Sequence, residues 1–195
     1  MLTFGDWYFR SVHVGDSRIY LYRNGKISRI TKDHSEVQVM VDAGTITPEE
    51  AWMHPKRNII TKHLGMPLYD RPLKPTVSPR LDLKVGDRFV ICSDGLSDVV
   101  RDSHLEEMLA AGNSTKDTCS QLAQTALYEA DRYGLNSDNI TVILLDVKEI
   151  GSRGADQKKL HRLKFIQKIF IGLAALLACG MGVTIYKMIQ HILKV

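Results

Sequence analysis

Runs of aromatic and β-branched residues open the chain, and such runs favour β-strands. Asn24-Gly25 lies between two of them and is a strong signal for a two-residue hairpin turn. We therefore predict a meander of three antiparallel strands, with Asp16 at its first corner. The predicted strands cover residues 7–14, 18–23 and 26–30.

Two later runs are apolar without alternation, at residues 89–92 and 140–147. Unbroken apolar runs are typical of strands buried on both faces, so we expect both to lie centrally in a sheet. Helical spacing of apolar residues, with caps and Gly stops, predicts helices over 36–43, 47–54, 103–111 and 114–133. The last helix has a predicted buried stripe of Leu122, Ala126, Ala130, Cys119 and Tyr133.

The segment 36–64 joins two short predicted helices by polar connections. A polar insertion of this size is typical of a mobile flap beside a functional site. A plain helical connection fits its composition equally well.

Three Asp residues each lie in a turn signal beside a strongly β-like run. Asp94 follows the run 89–92, Asp16 follows 7–14, and Asp138 precedes 140–147. One Asp-Gly after a strand usually indicates only a turn. Three carboxylates with the same placement predict an oxygen-ligand site for Mg²⁺ or Mn²⁺ if their strands are neighbours.

Charge is divided sharply along the 195 residues. Residues 1–150 carry 18 Lys and Arg against 21 Asp and Glu, whereas residues 151–195 carry eight against one. The globular part has no cationic excess, so we exclude nucleic acid as a partner. The three Cys show no pairing or zinc spacing, which suits a reducing compartment, and the first residues do not resemble a signal peptide.

The C-terminal part has the pattern of a membrane anchor. Residues 149–164 form a predicted basic linker, 165–189 a transmembrane helix and 190–195 a tail. A buried core helix is the alternative. Most flanking basic residues precede the apolar run, which predicts a single-pass protein of the cell membrane. Its globular part would be cytoplasmic, its tail outside, and its linker held by anionic lipid.

Five motifs in order resemble the metal-dependent serine/threonine protein phosphatases, known as the PPM or PP2C-like family. Any one of them is weak, but five in this order are specific. They are Val14-Gly15-Asp16-Ser17-Arg18, Ile30-Thr31-Lys32-Asp33-His34-Ser35, Arg57-Asn58-Ile59-Ile60-Thr61, Cys92-Ser93-Asp94-Gly95-Leu96-Ser97-Asp98 and Ser137-Asp138-Asn139-Ile140-Thr141-Val142.

The resemblance implies an α+β fold, an α-β-β-α sandwich of two antiparallel sheets flanked by helices. It implies hydrolysis of phosphoserine and phosphothreonine in proteins by a water held between two Mn²⁺ or Mg²⁺ ions, with a third ion possible, opposing a Ser/Thr kinase. The residues it assigns are metal ligands Asp94, Asp138 and Asp16, then Asn139 orienting Asp138, and Arg57 and Asn58 in the substrate flap.

The resemblance covers about residues 7–148, and it implies that residues 1–148 form a partial domain, truncated at its N-terminus. The family's N-terminal third carries a phosphate-binding Arg and an Asp-Gly-Met-Gly-Gly metal segment, and neither occurs here. We therefore expect little or no turnover from these residues alone. Two alternatives stay open beside the enzyme: an inactive remnant acting as a membrane-tethered binding module, and a tethered β-sandwich whose Asp turns are only structural.

Overall fold

A computed structural model describes residues 1–66, 73–134 and 139–151. The chain divides into two compact units, Met1–Ile150 and Gly151–Val195, and the first contains nearly all the described residues. The predicted transmembrane segment, tail and most of the linker lie outside the described residues, as does Asp138. Within the described ranges no helix is long and apolar enough to cross a membrane.

Eight strands and five helices follow one another in the described ranges. The strands are β1 (Leu2–Phe4), β2 (Tyr8–His13), β3 (Arg18–Arg23), β4 (Lys26–Arg29), β5 (Thr76–Val77), β6 (Leu81–Asp82), β7 (Arg88–Cys92) and β8 (Val142–Asp146). The helices are α1 (Glu36–Asp42), α2 (Pro48–Met53), α3 (Asp94–Ser97), α4 (Asp102–Ala110) and α5 (Thr115–Arg132).

The strands form two antiparallel sheets of four strands each. In the first sheet β2 is central, with β1 along one edge and β5 and β6 along the other. In the second the order is β4-β3-β7-β8. The hairpin β3–β4 turns at Asn24 and Gly25, whose φ values of 52° and 78° are both positive, as a type I′ turn requires.

The predicted three-stranded meander is wrong, because β2 and β3 belong to different sheets. The chain crosses from one sheet to the other at Gly15, where φ is 97°. This left-handed conformation is available to Gly without steric cost. Asp16 therefore lies at the corner between the sheets rather than in a hairpin.

Two hydrophobic layers hold the sheets and helices together. Between the sheets, Phe89 packs edge-to-face on Phe9 with ring centroids 4.7 Å apart, joined by Ile19, Leu21 and Leu83. The other face of the second sheet packs against α4 and α5. This helix-side core consists of Tyr20, Val90, Cys92, Leu96, Val99, Val100, Leu105, Leu109, Leu122, Ala126, Ala130 and Leu144.

The described residues therefore form two antiparallel sheets with one helical layer, outside the second sheet. The second helical layer of the expected α-β-β-α arrangement is not among them. Helix α5 confirms most of its predicted stripe, since Leu122, Ala126 and Ala130 are buried. Cys119 is half-buried against the same core, and Tyr133 is 46% exposed because it lies beyond the last helical turn.

The prediction that residues 140–147 form a central strand is also wrong for the described part of the chain. Among the residues that the structure describes, strand β8 pairs with β7 alone and lies at the end of its sheet. Its apolar residues have two separate environments: Leu144 faces α5 in the helix-side core, whereas Ile143 and Leu145 lie on the opposite face and stay partly exposed. An unbroken apolar run does not distinguish these cases.

Candidate functional site

The site is built where β7 ends and α3 begins. The expected tight turn after the strand is the start of this short helix, with Ser93 extended at the N-cap position. The Asp94 carboxylate accepts a hydrogen bond from the Gly95 N–H at 2.9 Å. Asp94 is therefore held in the first turn of a helix, where the exposed N–H groups favour negative charge.

The chain leading into β8 is fixed against this turn. The Ser93 hydroxyl donates to the Asn139 carbonyl at 2.9 Å and accepts from the Thr141 N–H at 3.0 Å. A Cβ on Gly95 would come within 2.9 Å of the same Asn139 oxygen, so only Gly permits this approach. The backbone of Asn139 is thus held beside Asp94. The prediction that its side chain orients Asp138 is not tested, because Asp138 lies outside the described residues.

The corner that carries Asp16 is tied to His34 by two hydrogen bonds. The Gly15 N–H donates to His34 Nδ1 at 3.1 Å, and the His34 N–H donates to the Gly15 carbonyl at 3.0 Å. Because Nδ1 accepts, the His34 proton lies on Nε2, 2.8 Å from the Thr76 hydroxyl. Burial, followed by the charges of Lys62 and His13, lowers the pKa of His34 and favours this neutral form.

Asp16, Asp94 and Asp98 form an electrostatically coupled group. Burial and then the charge of Asp94 raise the pKa of Asp16. The same two causes raise the pKa of Asp98 to about 6, while Arg18 and Arg57 act in the opposite direction. The raised pKa values of Asp16 and Asp98 mean that their anionic forms are destabilised, and a divalent cation would relieve that repulsion.

The donors at this group are all carboxylate oxygens, which fit a hard cation such as Mg²⁺ or Mn²⁺. Among residues 1–66, 73–134 and 139–151, no three His, Cys, Asp or Glu side chains converge closely enough to form a metal site. Of the three ligands predicted from the sequence, Asp16 and Asp94 lie among the described residues, with Asp98 near them, and their role as ligands stays a prediction.

A cleft of about 480 Å³ opens beside this group. Asp16 and Asp98 line it, and helices α1 and α2 of the predicted flap form one wall. The flap residue Arg57 also lines the cleft, whereas Asn58 is exposed and is not among the lining residues. Asn58 instead accepts a 3.4 Å hydrogen bond from Arg57 Nε.

The flap is attached to the helical layer by an aromatic contact. Trp52 of α2 packs edge-to-face on Tyr133 with centroids 5.7 Å apart, and the Arg101 guanidinium lies 4.1 Å from the centre of the Trp52 ring. Arg57 donates a hydrogen bond of 3.3 Å to the Trp52 carbonyl. The orientation of α2, and with it the position of Arg57, therefore depends on this contact.

Sequence reasoning missed Asp98 and Arg101. Asp98 follows Asp94 by four residues, and the helical turn α3 places residues of that spacing on one side. The four-residue spacing can be read from the sequence. It indicates that the two side chains lie on one side only when the segment is known to be helical. The contact of Arg101 with Trp52 could not be predicted from the local sequence, because the two residues are 49 positions apart in the chain.

Comparisons with known proteins show that this chain is similar to bacterial serine/threonine phosphatases. The serine/threonine protein phosphatase PstP of Mycobacterium tuberculosis is 42% identical over 136 residues, covering 70% of this chain and 24% of PstP. The phosphatase stp of Listeria monocytogenes is 35% identical over 144 residues, covering 74% and 53%. These matches support the PP2C-like, or PPM, phosphatase family. No protein-family model matches the chain.

Solved structures support the PP2C-like fold. The crystal structure of PstP from Mycobacterium tuberculosis has a TM-score of 0.66 at 37% identity and covers 76% of this chain and 58% of that protein. Stp1 of Staphylococcus aureus has a TM-score of 0.67 at 36% identity, covering 75% and 54%. A further structure is the PstP catalytic domain in complex with two manganese ions. The chain thus spans between a quarter and somewhat more than half the length of these relatives.

Proposed function

We propose that this chain carries the C-terminal part of a metal-dependent phosphatase that hydrolyses phosphoserine and phosphothreonine in proteins. The observation that carries the proposal is the coupling of Asp16, Asp94 and Asp98 beside a cleft that Arg57 enters from the flap. The similarity to PstP and stp, both serine/threonine phosphatases, supports the same reaction class.

Asp16 and Asp94 are the proposed metal ligands of the described part, and Asp138 is the third. Asp138 immediately precedes Asn139, which is hydrogen-bonded beside Asp94. When bound, Mn²⁺ or Mg²⁺ would lower the pKa of a bound water and neutralise charge on phosphoryl oxygens. The PstP catalytic domain solved with two manganese ions supports Mn²⁺, and the number of ions here is part of the proposal.

The chain's own residues would position the phosphoprotein. Arg57 supplies a cation at the cleft, and a guanidinium suits a phosphate because it can donate two parallel hydrogen bonds. Arg18 also lines the cleft and is held by Asp33, with nitrogen–oxygen distances of 2.7 to 3.2 Å. A Ser/Thr kinase is the proposed opposing enzyme.

Metal binding and hydrolysis test the proposal separately. Calorimetric titration of the 195-residue chain with Mn²⁺ should show binding that Asp94→Asn weakens by about tenfold or more, because a ligand is lost. Asp131→Asn, an exposed change on α5, is the matched control and should leave binding unchanged.

The hydrolysis test uses a longer protein, because the chain alone is expected to show little turnover. Joined to the N-terminal segment of the PstP catalytic domain, it should hydrolyse p-nitrophenyl phosphate and a phosphothreonine peptide only with Mn²⁺ or Mg²⁺. Combining Asp94→Asn with Asp138→Asn should abolish that activity. Activity that survives both changes would contradict the proposal, and Mn²⁺ binding without hydrolysis would favour the inactive membrane-tethered binding module.

The proposal includes a membrane anchor at residues 165–189. It is supported by a run without charge from 169 to 186 and by the basic residues that precede it. The phosphatase part would then face the cytoplasm, and the linker 149–164 would lie against anionic lipid.

A further inference from the structure

Arg101 lines the cleft and has no anionic partner among the residues that the structure describes. Its guanidinium lies over the Trp52 ring, 4.1 Å from the ring centre, and forms no hydrogen bond or ion pair within the described ranges. A guanidinium on an aromatic face keeps its N–H donors in its own plane, where two of them can bind one carboxylate. Arg101 is therefore a positioned cation whose donors are unused.

The other three arginines that line the cleft are already occupied. Arg18 and Arg29 both pair with Asp33, at 2.7 and 3.5 Å. Arg57 donates a hydrogen bond of 3.3 Å to a flap carbonyl. A new anion in the cleft would have to compete with these contacts, whereas Arg101 can accept it without losing a hydrogen bond.

Two carboxylates near Arg101 leave it without a partner. Asp102 is the next residue and accepts a hydrogen bond of 2.9 Å from the Tyr20 hydroxyl. Glu49 precedes Trp52 by three residues on α2, so the two side chains lie on one side of that helix. Glu49 is exposed and forms no ion pair with Arg101. It is therefore a competitor for Arg101 that is held by solvent rather than by the protein.

The wall that the flap contributes to the cleft contains apolar side chains and an unused donor. Val37 and Val41 of α1 and Ala51 of α2 line it. The Trp52 indole N–H and the Ser97 hydroxyl belong to lining residues and are buried without a hydrogen-bond partner in the described structure. A buried donor without an acceptor costs free energy that a bound group can recover. The cleft thus favours a ligand that carries both apolar groups and hydrogen-bond acceptors.

We propose that Arg101 and Trp52 bind an acidic side chain of the phosphoprotein, close to its phosphorylated residue. The inference rests on the proposed function, in which the phosphoryl group lies near Asp16 and Asp98 with Arg57. All five residues line one cleft of about 480 Å³, a volume typical of sites that hold more than a single side chain. Proteins with Asp or Glu beside the phosphoserine or phosphothreonine are therefore the preferred substrates.

Two phosphothreonine peptides test the preference. One has Glu at the second and third positions on each side of the phosphothreonine, and the other has Gln there, which keeps the size and removes the charge. The full 195-residue chain, in mild detergent with Mn²⁺, should bind the Glu peptide about three- to fivefold more tightly, as expected of one exposed ion pair. Of the indole N–H signals of Trp7 and Trp52, assigned with Trp7→Phe, only that of Trp52 should move.

Substitutions assign the preference to Arg101. Arg101→Gln should reduce the ratio of the two affinities to about one, because the ion pair is lost. Arg132→Gln is the matched control: it removes the same charge beside Tyr133, and Arg132 is not among the lining residues. Its ratio should stay unchanged, which separates recognition by Arg101 from general attraction to the basic C-terminal part. Glu49→Gln should increase the ratio, because it removes the competing carboxylate.

Four outcomes would overturn the proposal. Equal binding of both peptides by the unmodified chain is one, and an equal fall of the ratio in the Arg101 and Arg132 variants is another. A third is Arg101→Gln weakening both peptides alike, because Arg101 would then only hold the flap. Binding of neither peptide would contradict the proposed function as well, whereas binding of both without preference would contradict this inference alone.

Discussion

At the scale of single residues, Asp146 joins the last strand to the helical layer. Its carboxylate accepts hydrogen bonds from Arg88 at 2.7 and 3.0 Å and from the Thr115 hydroxyl at 2.6 Å. The hydrogen bond from Arg88 is the main reason that the pKa of Asp146 lies below its ordinary value of 3.8. The charged form is therefore favoured by folding.

This lowered pKa predicts a loss of stability in acid. The contribution of Asp146 is complete above the unfolded-state pKa and disappears as the pH falls through the lower folded-state pKa. Asp146→Asn should reduce the free energy of unfolding at neutral pH by about 1 to 2 kcal/mol and flatten its decline below about pH 4. Urea unfolding at neutral pH and below about pH 4 measures the free energy of unfolding of both proteins. Asp131→Asn should keep the original pH profile, and an equal decline in Asp146→Asn would contradict the assignment.

At the scale of elements, the contact between helix α2 and the helical layer depends on one aromatic ring. Helix α2 has a local capping box, in which Thr47 and Glu50 satisfy each other's backbone N–H groups. Six residues are too few for an independent helix in water, so its position depends on Trp52 packing against Tyr133 and Arg101.

We expect Trp52→Ala to release α2 without unfolding the sheets. Losing the aromatic and cation–π contacts should cost about 1 to 3 kcal/mol locally, and amide exchange in Pro48–Met53 should accelerate about tenfold. Exchange in β7 should stay constant. Met53→Ala removes a neighbouring side chain that is largely exposed and serves as the control. Equal exchange in both variants would show that the ring does not hold the flap.

At the scale of the whole molecule, the chain combines an acidic globular part with a basic, apolar C-terminal part. The proposed anchor predicts that the full chain stays in the membrane fraction after an alkaline carbonate wash. Leu176→Arg combined with Leu177→Arg should release it, because each charge at the middle of a span costs about 2.5 to 3.5 kcal/mol. Leu176→Ala with Leu177→Ala is the apolar control and should remain bound. Retention of the Arg variant would contradict a spanning helix.

Local features of the fold could be predicted from the sequence. The Asn24-Gly25 turn occurs as predicted, and the helices predicted over 47–54 and 114–133 occur within one residue of those bounds. Each depends on backbone conformations and hydrogen bonds within a few residues, so the local sequence is sufficient. The two antiparallel sheets with helices came from the family resemblance and agree with the solved relatives.

Features that join distant parts of the chain were decided only by the tertiary structure. The sequence suggested Asp16 and Asp94 as partners but could not show their charges acting on each other and on Asp98. It placed β8 at the centre of a sheet, whereas within the described ranges β8 lies at a sheet edge. Burial and charge coupling depend on which elements become neighbours, and that choice is made by packing across the whole fold rather than by any one segment.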